Sequence, residues 1–493
     1  MGKRPRARQG SPLWVTTADL PTNAGHPFFE DLNRVLEAAG FDAYVEELCA
    51  VFYAARMGRP SLRPGRYFRM LLIGYFEGLS SERGIAWRVA DSLSLRSFLD
   101  LDVTEASPDH STLSRTRRLI DVETHEAVFT WVLERLSAAG LLRGKTVGVD
   151  ATTLEANAAM RSIERRDTGE SHEAFIRRLA QASGIETPTR AELARFDRSR
   201  KNKKTSNKDW KSPQDPDAKI AKMKDGRTHL AHKVEHGVDM DTGAIVSVTV
   251  QDASDGDTAT LPATLITAAE QVELVQPDGA GVEELVADKG YHSDETLVAL
   301  GEVGVRSYVS EPERGRRCWQ DKKTGETPPE KCAAQKALYA NRRRVRGRRG
   351  RQLQRCRGEV VERTFAHMYE TGGMRRVWVR GHENVRKRVL IQAAACNIGL
   401  LLRHQTGIGT PRSLQGRAVS AIYRLIDRLL DLWGRLTRAW GSNRHRRRSS
   451  AQLLIAKLPE QQGSANRLLP RAARQGTKLP TAQRGMLRGE GWK

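Results

Sequence analysis

Short runs of strand-forming residues alternate with helical segments between residues 145 and 312, and this order constrains the fold more than any other feature. The run KTVGVDATTLEA is β-branched and apolar and predicts a buried strand that ends at Asp150. The run HLAHKVEHGVDMDTGAIVSVTV predicts a hairpin that turns at residues 241–243. A helix, the strand VEELVAD, a second helix and the strand VRSYVSEP follow. This order predicts an α/β fold with a mixed sheet flanked by helices.

The first 145 residues have a helical pattern instead. Apolar residues recur three and four positions apart in FFEDLNRVLEAAG, FDAYVEELCAVFYAAR, GRYFRMLLIGYFEG and SERGIAWRVADSLSLRSFL. The stretch SPDHSTLSRTRRLI predicts a further helix, capped by Ser111 or Thr112, that carries Arg115, Arg117 and Arg118. That basic helix is either a solvated face or a DNA-contacting helix of the helix-turn-helix type.

Composition and periodicity together predict three parts of the chain. Residues 1–143 form an all-α domain that binds DNA or assists in binding it. Residues 144–405 form the α/β domain, which contains a polar, basic insertion at about 155–225, and the stretch RSRKNKKTSNKDWKSPQDPD within it resembles an exposed loop. Residues 406–493 continue with a helical segment at 417–440 and end in a basic tail that we expect to be largely disordered.

The charge of the chain indicates a polyanionic partner. Lys and Arg total 82 against 59 Asp and Glu, a net charge of +23. Such an excess favours nucleic acid, because basic side chains release the counterions condensed on phosphates. No run approaches 18 apolar residues and the N-terminus lacks a signal-peptide pattern, so we expect a soluble, cytoplasmic protein. The five cysteines include no C-x-x-C pair, and neither a disulfide framework nor a zinc module is indicated.

Three acidic residues are the candidates for chemistry. Asp150 and Asp288 each end a predicted strand, and ligands of α/β sheets bind beyond the carboxyl ends of strands. If the two strands are neighbours, the carboxylates converge and suit Mg²⁺, which prefers oxygen ligands. Glu362 would complete a two-metal site for phosphoryl transfer from a helix that carries an apolar stripe. Glu359, one turn earlier, is the competing candidate.

Several stretches carry a resemblance to a known family. VGVDATTLEAN, the hairpin run, ELVADKGYHS and GEVVERTFAHM, together with the downstream GGMRRVWVRGHENVRKR, resemble bacterial insertion-sequence transposases of the DDE type, whose catalytic domain has an RNase H-like fold. RMLLIGYFEGLSSERGIAWRVADS and PDHSTLSRTRRLI resemble the helical N-terminal domain of one branch of that group. The likeness spans roughly residues 60–405.

The resemblance implies a catalytic and metal-binding triad of Asp150, Asp288 and Glu362 that holds two Mg²⁺ ions, for which Mn²⁺ can substitute. It implies an enzyme that binds the terminal inverted repeats of its element in double-stranded DNA, cuts at their ends and joins the freed 3′-hydroxyls to target DNA. Synapsis of two ends favours a homodimer. Two alternatives stay open: a nuclease of the same fold without strand transfer, and a DNA-binding derivative without catalytic activity.

The basic and aromatic candidates for DNA contact come partly from the arginine run at 342–357 and partly from the resemblance. The run has the composition of a DNA-backbone clamp, although a localisation signal or RNA-binding patch has the same composition. The candidates are Arg115, Arg117, Arg118, Lys289, Tyr291, Arg342, Arg343, Arg344, Arg375 and Arg376. The chain departs from related enzymes at Tyr369, where many have lysine, and at Gly358, where many have arginine.

Overall fold

The computed structural model describes residues 25–54, 61–201, 206–223, 225–313, 315, 317–320 and 328–414. Helices form the first part of these residues: α1 (Pro27–Ala38), α2 (Phe41–Cys49), α3 (Pro64–Phe76), α4 (Glu82–Ala90), α5 (Leu93–Phe98), α6 (His110–Leu119) and α7 (Val122–Ala138). Their buried faces carry the apolar residues that recur in the sequence, and aromatic rings meet between helices, for example Phe41 with Trp131 at 5.1 Å. The helical N-terminal region predicted from periodicity is therefore confirmed.

The N-cap of α6 lies two or three residues before the predicted one. The carboxylate of Asp109 is the N-cap and accepts a hydrogen bond of 2.8 Å from the backbone amide of Thr112. The hydroxyl of Ser111 itself donates to Asp109. Aspartate satisfies a free amide in the first turn as well as serine does, so the prediction of Ser111 or Thr112 as the cap was wrong.

The remaining described residues form two sheets and seven further helices. The strands are β1 (Thr146–Glu155), β2 (Glu164–Arg165), β3 (Trp210–Lys211), β4 (Lys219–Lys222), β5 (Thr228–Asp239), β6 (Ile245–Asp252), β7 (Glu284–Ala287) and β8 (Arg306–Val309). The helices are α8 (His172–Ala182), α9 (Arg190–Ser199), α10 (Asp257–Val275), α11 (Asp294–Glu302), α12 (Pro329–Arg346), α13 (Arg348–Ala366) and α14 (His382–Thr406).

The main sheet is mixed. β5 pairs antiparallel with β1 on one edge and with β6 and then β4 on the other, while β7 and β8 extend the sheet parallel to β1. Helix α10 contacts one side of this sheet through β5 and β6, and α13 contacts β1, β5 and β7. The predicted α/β fold of RNase H-like type, with its hairpin and its mixed sheet flanked by helices, is confirmed.

β1 continues past the residue at which the sequence predicted its end. Its antiparallel pairing with β5 runs to Glu155, opposite Ala231, whereas its parallel pairing with β7 stops at Gly148, opposite Val286. Asp150 therefore lies within a strand that has lost its neighbour on one side. The prediction that Asp150 ends its strand was wrong, because β5 keeps pairing with β1 after β7 has turned away.

The insertion at 155–225 is folded in its described residues. It contains α8, α9, the β2–β3 ladder and β4, and a small apolar core forms around Trp210, which is 4% exposed. Asp215, also in the stretch expected to be an exposed loop, is fully buried and bonded to His232 at 3.0 Å. A buried tryptophan and a buried, hydrogen-bonded aspartate contradict the expectation of an exposed loop there.

Helix α14 packs against α7, α3 and β6, so it joins the N-terminal helices to the sheet. The boundaries at 143 and 405 stay predictions. The helix expected at 417–440 and the C-terminal tail lie outside the described residues. Among the described helices, none combines the length and the apolar character needed to cross a lipid bilayer.

The buried His125 predicts a dependence of stability on pH. Its Nδ1 donates to the carbonyl of Asp121 at 2.6 Å, and its Nε2 accepts from the Tyr67 hydroxyl at 3.1 Å, which fixes the neutral tautomer. Burial lowers the pKa of His125 from 6.5 to about 3. The folded pKa is depressed, so the stabilisation is complete above pH 6.5 and is lost as the pH falls towards 3.

We therefore expect His125→Gln to remove part of the acid sensitivity of folding. Between pH 7.5 and pH 5, the wild type should lose about 2 kcal/mol more unfolding free energy than the variant, as urea titrations would measure. His404→Gln, at an exposed position of α14, is the control and should follow the wild type. Parallel pH profiles for His125→Gln and the wild type would contradict this assignment.

Candidate active site

The two aspartates follow paired positions of β1 and β7, which are parallel neighbours in the sheet. Gly148 of β1 is opposite Val286 of β7, and Asp150 and Asp288 each follow two residues later. Neighbouring strands are about 4.8 Å apart, and residues two apart share a face of the sheet. Burial raises the pKa of Asp150, and the carboxylate of Asp288 adds a smaller increase, which shows that the two acids are within electrostatic reach of each other.

Asp150 is held by groups on both of its oxygens. Its Oδ1 accepts from the amide of Ala151 at 2.8 Å, and its Oδ2 pairs with Nη1 of Arg357 at 3.1 Å. Burial is the largest cause of the raised pKa of Asp150, and the hydrogen bonds from Ala151 and Arg357 oppose it. Nε of Arg357 is buried and has no hydrogen-bond partner among the described residues. Arg357 thus supplies the positive charge that faces Asp150.

Asp288 follows the last residue of β7 and begins a short turn. Its Oδ1 accepts from the amide of Gly290 at 2.8 Å, which caps the 3₁₀ turn Lys289–Tyr291. A Cβ at position 290 would overlap the carboxylate of Asp257, so the start of α10 lies close to this turn. A larger residue at position 290 would displace the carboxylate of Asp257, and the turn holds Asp288 at the edge of the sheet.

Helix α13 brings Glu362 to the same cleft. Val361, Phe365 and Met368 are buried as the sequence predicts, and Glu362 is exposed beside them. Position 148 must be glycine for this approach, because a Cβ there would lie 2.8 Å from Cγ2 of Val361. His236 of β5 fixes the helix further, since its ring stacks on Phe365 at 4.3 Å.

A cleft of about 680 Å³ contains all three acids. Asp150, Asp288, Glu362, Arg357, Lys233 and Tyr369 are among the residues that line it. Glu359, the competing candidate, is exposed on α13 and is not part of this lining. The structure therefore brings together the two aspartates and Glu362 in one cavity and favours Glu362 over Glu359.

The donor chemistry of the cleft fits a divalent cation, although the acids do not form a closed ligand cluster. Within the residues that the structure describes, no three acidic, histidine or cysteine side chains are close enough together to hold a metal ion. Mg²⁺ is commonly held by one or two carboxylates and by phosphate oxygens of the substrate. Asp150 and Asp288 meet that requirement, and Glu362 shares their cleft from α13.

A buried ionic network supports the cleft from the α10 side of the sheet. Nζ of Lys233 donates to Asp257 at 2.7 Å and to Thr260 at 2.8 Å, and lies 3.1 Å from Glu235. Glu235 is fully buried and also accepts from the hydroxyl of Tyr291 at 3.2 Å. Sequence reasoning missed Lys233 and Glu235, although charged residues inside the predicted strand of a hairpin are a signal that could have found them.

Tyr291 is an anchor of the Asp288 turn rather than a surface residue. It is 1% exposed, and burial raises its pKa far above the usual range, with the charge of Glu235 adding to the effect. A buried side chain whose hydroxyl is already bonded to Glu235 does not reach DNA from this position. The structure therefore corrects the prediction of Tyr291 as a DNA contact.

Tyr369 connects the end of α13 to β1. Its hydroxyl is hydrogen-bonded to Oγ1 of Thr152, and burial raises its pKa. It lies in the π-helical turn His367–Thr371, which follows α13 directly. At the position where related enzymes often have lysine, this chain therefore has a neutral residue in the wall of the cleft.

The basic residues predicted to bind DNA divide into two groups. Arg117 is 9% exposed and pairs with Glu82 at 2.7 Å, Arg342 pairs with Glu311, and Arg344 donates to Ser307. Burial of Arg117 against Glu82 argues against Arg117 as a free DNA contact. Arg342 and Arg344 are partly exposed, and their assignment as DNA contacts stays a prediction. The exposed members of the set are Arg115, Arg118, Lys289, Arg343 and Arg375, while Arg376 is partly exposed over the ring of Trp378.

The anchoring role of Tyr291 gives a direct prediction. Tyr291→Phe keeps the ring and removes the hydrogen bond to buried Glu235, so the unfolding free energy should fall by about 1 to 3 kcal/mol. DNA affinity, measured by fluorescence anisotropy on the folded variant, should stay within twofold of the wild type. Tyr339→Phe, at an exposed tyrosine of α12, is the control for loss of a hydroxyl. If Tyr291→Phe lowered DNA affinity without lowering stability, the result would support Tyr291 as a DNA contact.

Two regions of the chain match known protein families. Residues 17–119 match the family described as Transposase domain (DUF772), and residues 313–402 match the family described as Transposase DDE domain. The second region contains Glu362, whereas Asp150 and Asp288 lie between the two matched regions. No curated protein matches the chain. The matches confirm the resemblance that the sequence motifs indicate.

Proposed function

We propose that this chain, a DDE-type transposase by its two matched regions, binds the terminal inverted repeats of an insertion sequence, cuts DNA at their ends and joins the ends to target DNA. The observation that carries the proposal is the parallel register of β1 and β7, which sets Asp150 and Asp288 on adjacent strands beside Glu362 in one cleft. Such an arrangement of acids suits phosphoryl transfer.

The family implies the use of a divalent metal, and we assign Asp150, Asp288 and Glu362 as its ligands. Two Mg²⁺ ions, with Mn²⁺ as a substitute, would supply Lewis-acid charge stabilisation to the reacting phosphodiester. The chain's own part is positioning. Arg357 neutralises Asp150, and exposed Lys289, next to Asp288, faces solvent where it can contact a phosphate oxygen.

Cleavage and joining need only one such site, since each is a phosphoryl transfer at the end of the element. In cleavage the attacking oxygen comes from water, and in joining it comes from the freed 3′-hydroxyl. Both reactions depend mainly on positioning and on charge stabilisation. A dimer would hold two ends together for this purpose, one in each cleft.

The exposed basic residues supply affinity for double-stranded DNA. Arg115 and Arg118 lie on α6, Arg343 lies on α12, and Lys289 and Arg375 lie near the cleft. Contacts of this kind go mostly to phosphates, position the duplex and weaken as salt rises. Their distribution over the N-terminal helices and the α/β region fits one duplex that touches both.

The test separates binding from chemistry. Asp150→Asn, Asp288→Asn and Glu362→Gln should each lower Mg²⁺-dependent cleavage and joining at least about a hundredfold, since each removes a group that stabilises the transition-state charge. Affinity for duplexes from the DNA that flanks the coding sequence should change less than threefold. Glu359→Gln, one turn away on α13, is the matched control and should keep full activity.

Three results would redirect the proposal. Metal-dependent hydrolysis without joined product would select a nuclease of the same fold. Binding of the flanking DNA with no cleavage by the wild type in Mg²⁺ or Mn²⁺ would select a binding protein without catalytic activity. Equal losses for Glu359→Gln and Glu362→Gln would contradict the assignment of Glu362.

A further inference from the structure

A second cavity, of about 210 Å³, lies where the N-terminal helices meet the segment that leads into α14. Its wall has five cationic side chains and one carboxylate; these residues are Arg83, Arg117, Arg376, Lys387, Arg388 and Glu82. Three of the cations pair with carboxylates: Arg117 with Glu82 at 2.7 Å, Lys387 with Glu383 at 2.5 Å and Arg376 with Glu155 at 3.8 Å. Among the described residues, Arg83 and Arg388 have no carboxylate within 4.0 Å, so the wall keeps a surplus of positive charge.

Arg388 is the buried cation without a counterion. Its side chain is 7% exposed, and Nη2 donates to the carbonyl of Leu79 at 2.9 Å. Among the described residues, no carboxylate lies within 4.0 Å of its guanidinium. Burying a guanidinium without an anion is costly, and burial accordingly lowers the pKa of Arg388. A compact anion in the cavity would remove that cost.

Other groups at the cavity have the chemistry of a phosphate site. The N-terminus of α4 is at the wall, with Ser81 as N-cap and Glu82 and Arg83 in the first turn, so its amides and dipole favour a negative charge. Nε of Arg376 is buried and has no hydrogen-bond partner among the described residues. A guanidinium group binds phosphate in a forked, two-bond geometry that carbonyl oxygens do not satisfy.

The cavity is near the cleft along β1. The amide of Val377, in the cavity wall, donates to the carbonyl of Glu155 at 2.9 Å, and Glu155 is five residues beyond Asp150 on the same strand. Five residues of β-strand span roughly 17 Å. At 3.4 Å per nucleotide step, roughly five steps of a DNA strand cover that distance.

We infer that this cavity is a phosphate-binding pocket, centred on Arg388, that receives a backbone phosphate of bound DNA roughly five nucleotides from the reacting phosphodiester. The identity of the ligand as DNA rests on the function proposed above, whereas the binding of a phosphate group does not. The half-exposed ring of Trp378 lies at the rim, stacked under Arg376, where the sugar or base of the same nucleotide would pass.

The first experiment measures phosphate binding to the full chain. Inorganic phosphate should raise the midpoint of thermal unfolding relative to chloride at equal ionic strength. Arg388→Met should be at least as stable as the wild type in chloride, because an uncompensated buried charge is removed, and should bind phosphate roughly tenfold more weakly or worse. Arg69→Met, at a buried arginine paired with Asp42, is the control and should lose stability but keep the phosphate effect.

The second experiment identifies the source of the phosphate. Duplexes with a single neutral methylphosphonate are placed three to seven nucleotides from the cleavage position. One position should weaken binding to the wild type roughly tenfold and leave binding to Arg388→Met unchanged. Adenosine monophosphate tests whether a free nucleotide is the ligand instead. If the wild type bound adenosine monophosphate more tightly than it bound any of the duplexes, the assignment to DNA would be overturned.

Other outcomes would overturn the pocket itself. Loss of stability of Arg388→Met in chloride would make Arg388 a structural partner of Leu79. An equal phosphate effect in the wild type and Arg388→Met would place phosphate elsewhere. Asp288→Asn should keep the full phosphate effect, so failure of cleavage in that variant and failure of the pocket are distinguishable.

Discussion

The parallel pairing of β1 with β7 is the constraint on which the rest of the site depends. The two strands are separated by more than 100 residues of hairpin, insertion and helix, yet their register places Gly148 opposite Val286. The arrangement of the acids depends on that register, because a slip of one residue would turn one aspartate to the opposite face of the sheet. After this point β7 ends, while β1 remains paired with β5. The space that β7 leaves beside β1 is the cleft.

The electrostatics of the cleft are balanced by neighbours on both sides of the sheet. On the α13 side, Arg357 pairs with Asp150, and on the α10 side Lys233 is shared by Asp257 and Glu235. Buried charges are tolerated when such partners are present, and removing one partner leaves the other uncompensated. By the same rule Arg388 is exceptional, because this buried guanidinium forms no ion pair within 4.0 Å among the described residues.

Much of the fold could be predicted because it is encoded locally. Periodicity of three and four marked the N-terminal helices, alternation marked the hairpin, and the apolar stripe of Val361, Phe365 and Met368 oriented α13 with Glu362 at its border. The convergence of Asp150 and Asp288 was predicted on the condition that their strands are neighbours, a condition that the structure meets. Glu362 was predicted from its helix and from the family resemblance. The assignment of the three acids as metal ligands stays a proposal.

Interactions between distant parts of the chain could not be predicted. The pairing of Arg357 with Asp150, the burial of Arg117 against Glu82 and the bond from Tyr291 to Glu235 each join residues that no local pattern relates. The predicted end of β1 at Asp150 was wrong for the same reason, because β1 stays paired with β5 as far as Glu155. In the insertion, Trp210 and Asp215 lie in a polar stretch that predicts a loop, and only contacts with distant residues show that they are buried.

The shared use of one cation by Asp150 and Asp288 is the central claim, and iron-directed cleavage of the polypeptide tests it most directly. Fe²⁺ bound in place of Mg²⁺ and activated with ascorbate and peroxide cuts the backbone beside the ion. The account predicts cuts in both β1 near residue 150 and the turn near residue 288, and loss of both cuts together in Asp288→Asn. Cutting near only one of these positions, or persistence of the β1 cut in Asp288→Asn, would contradict it.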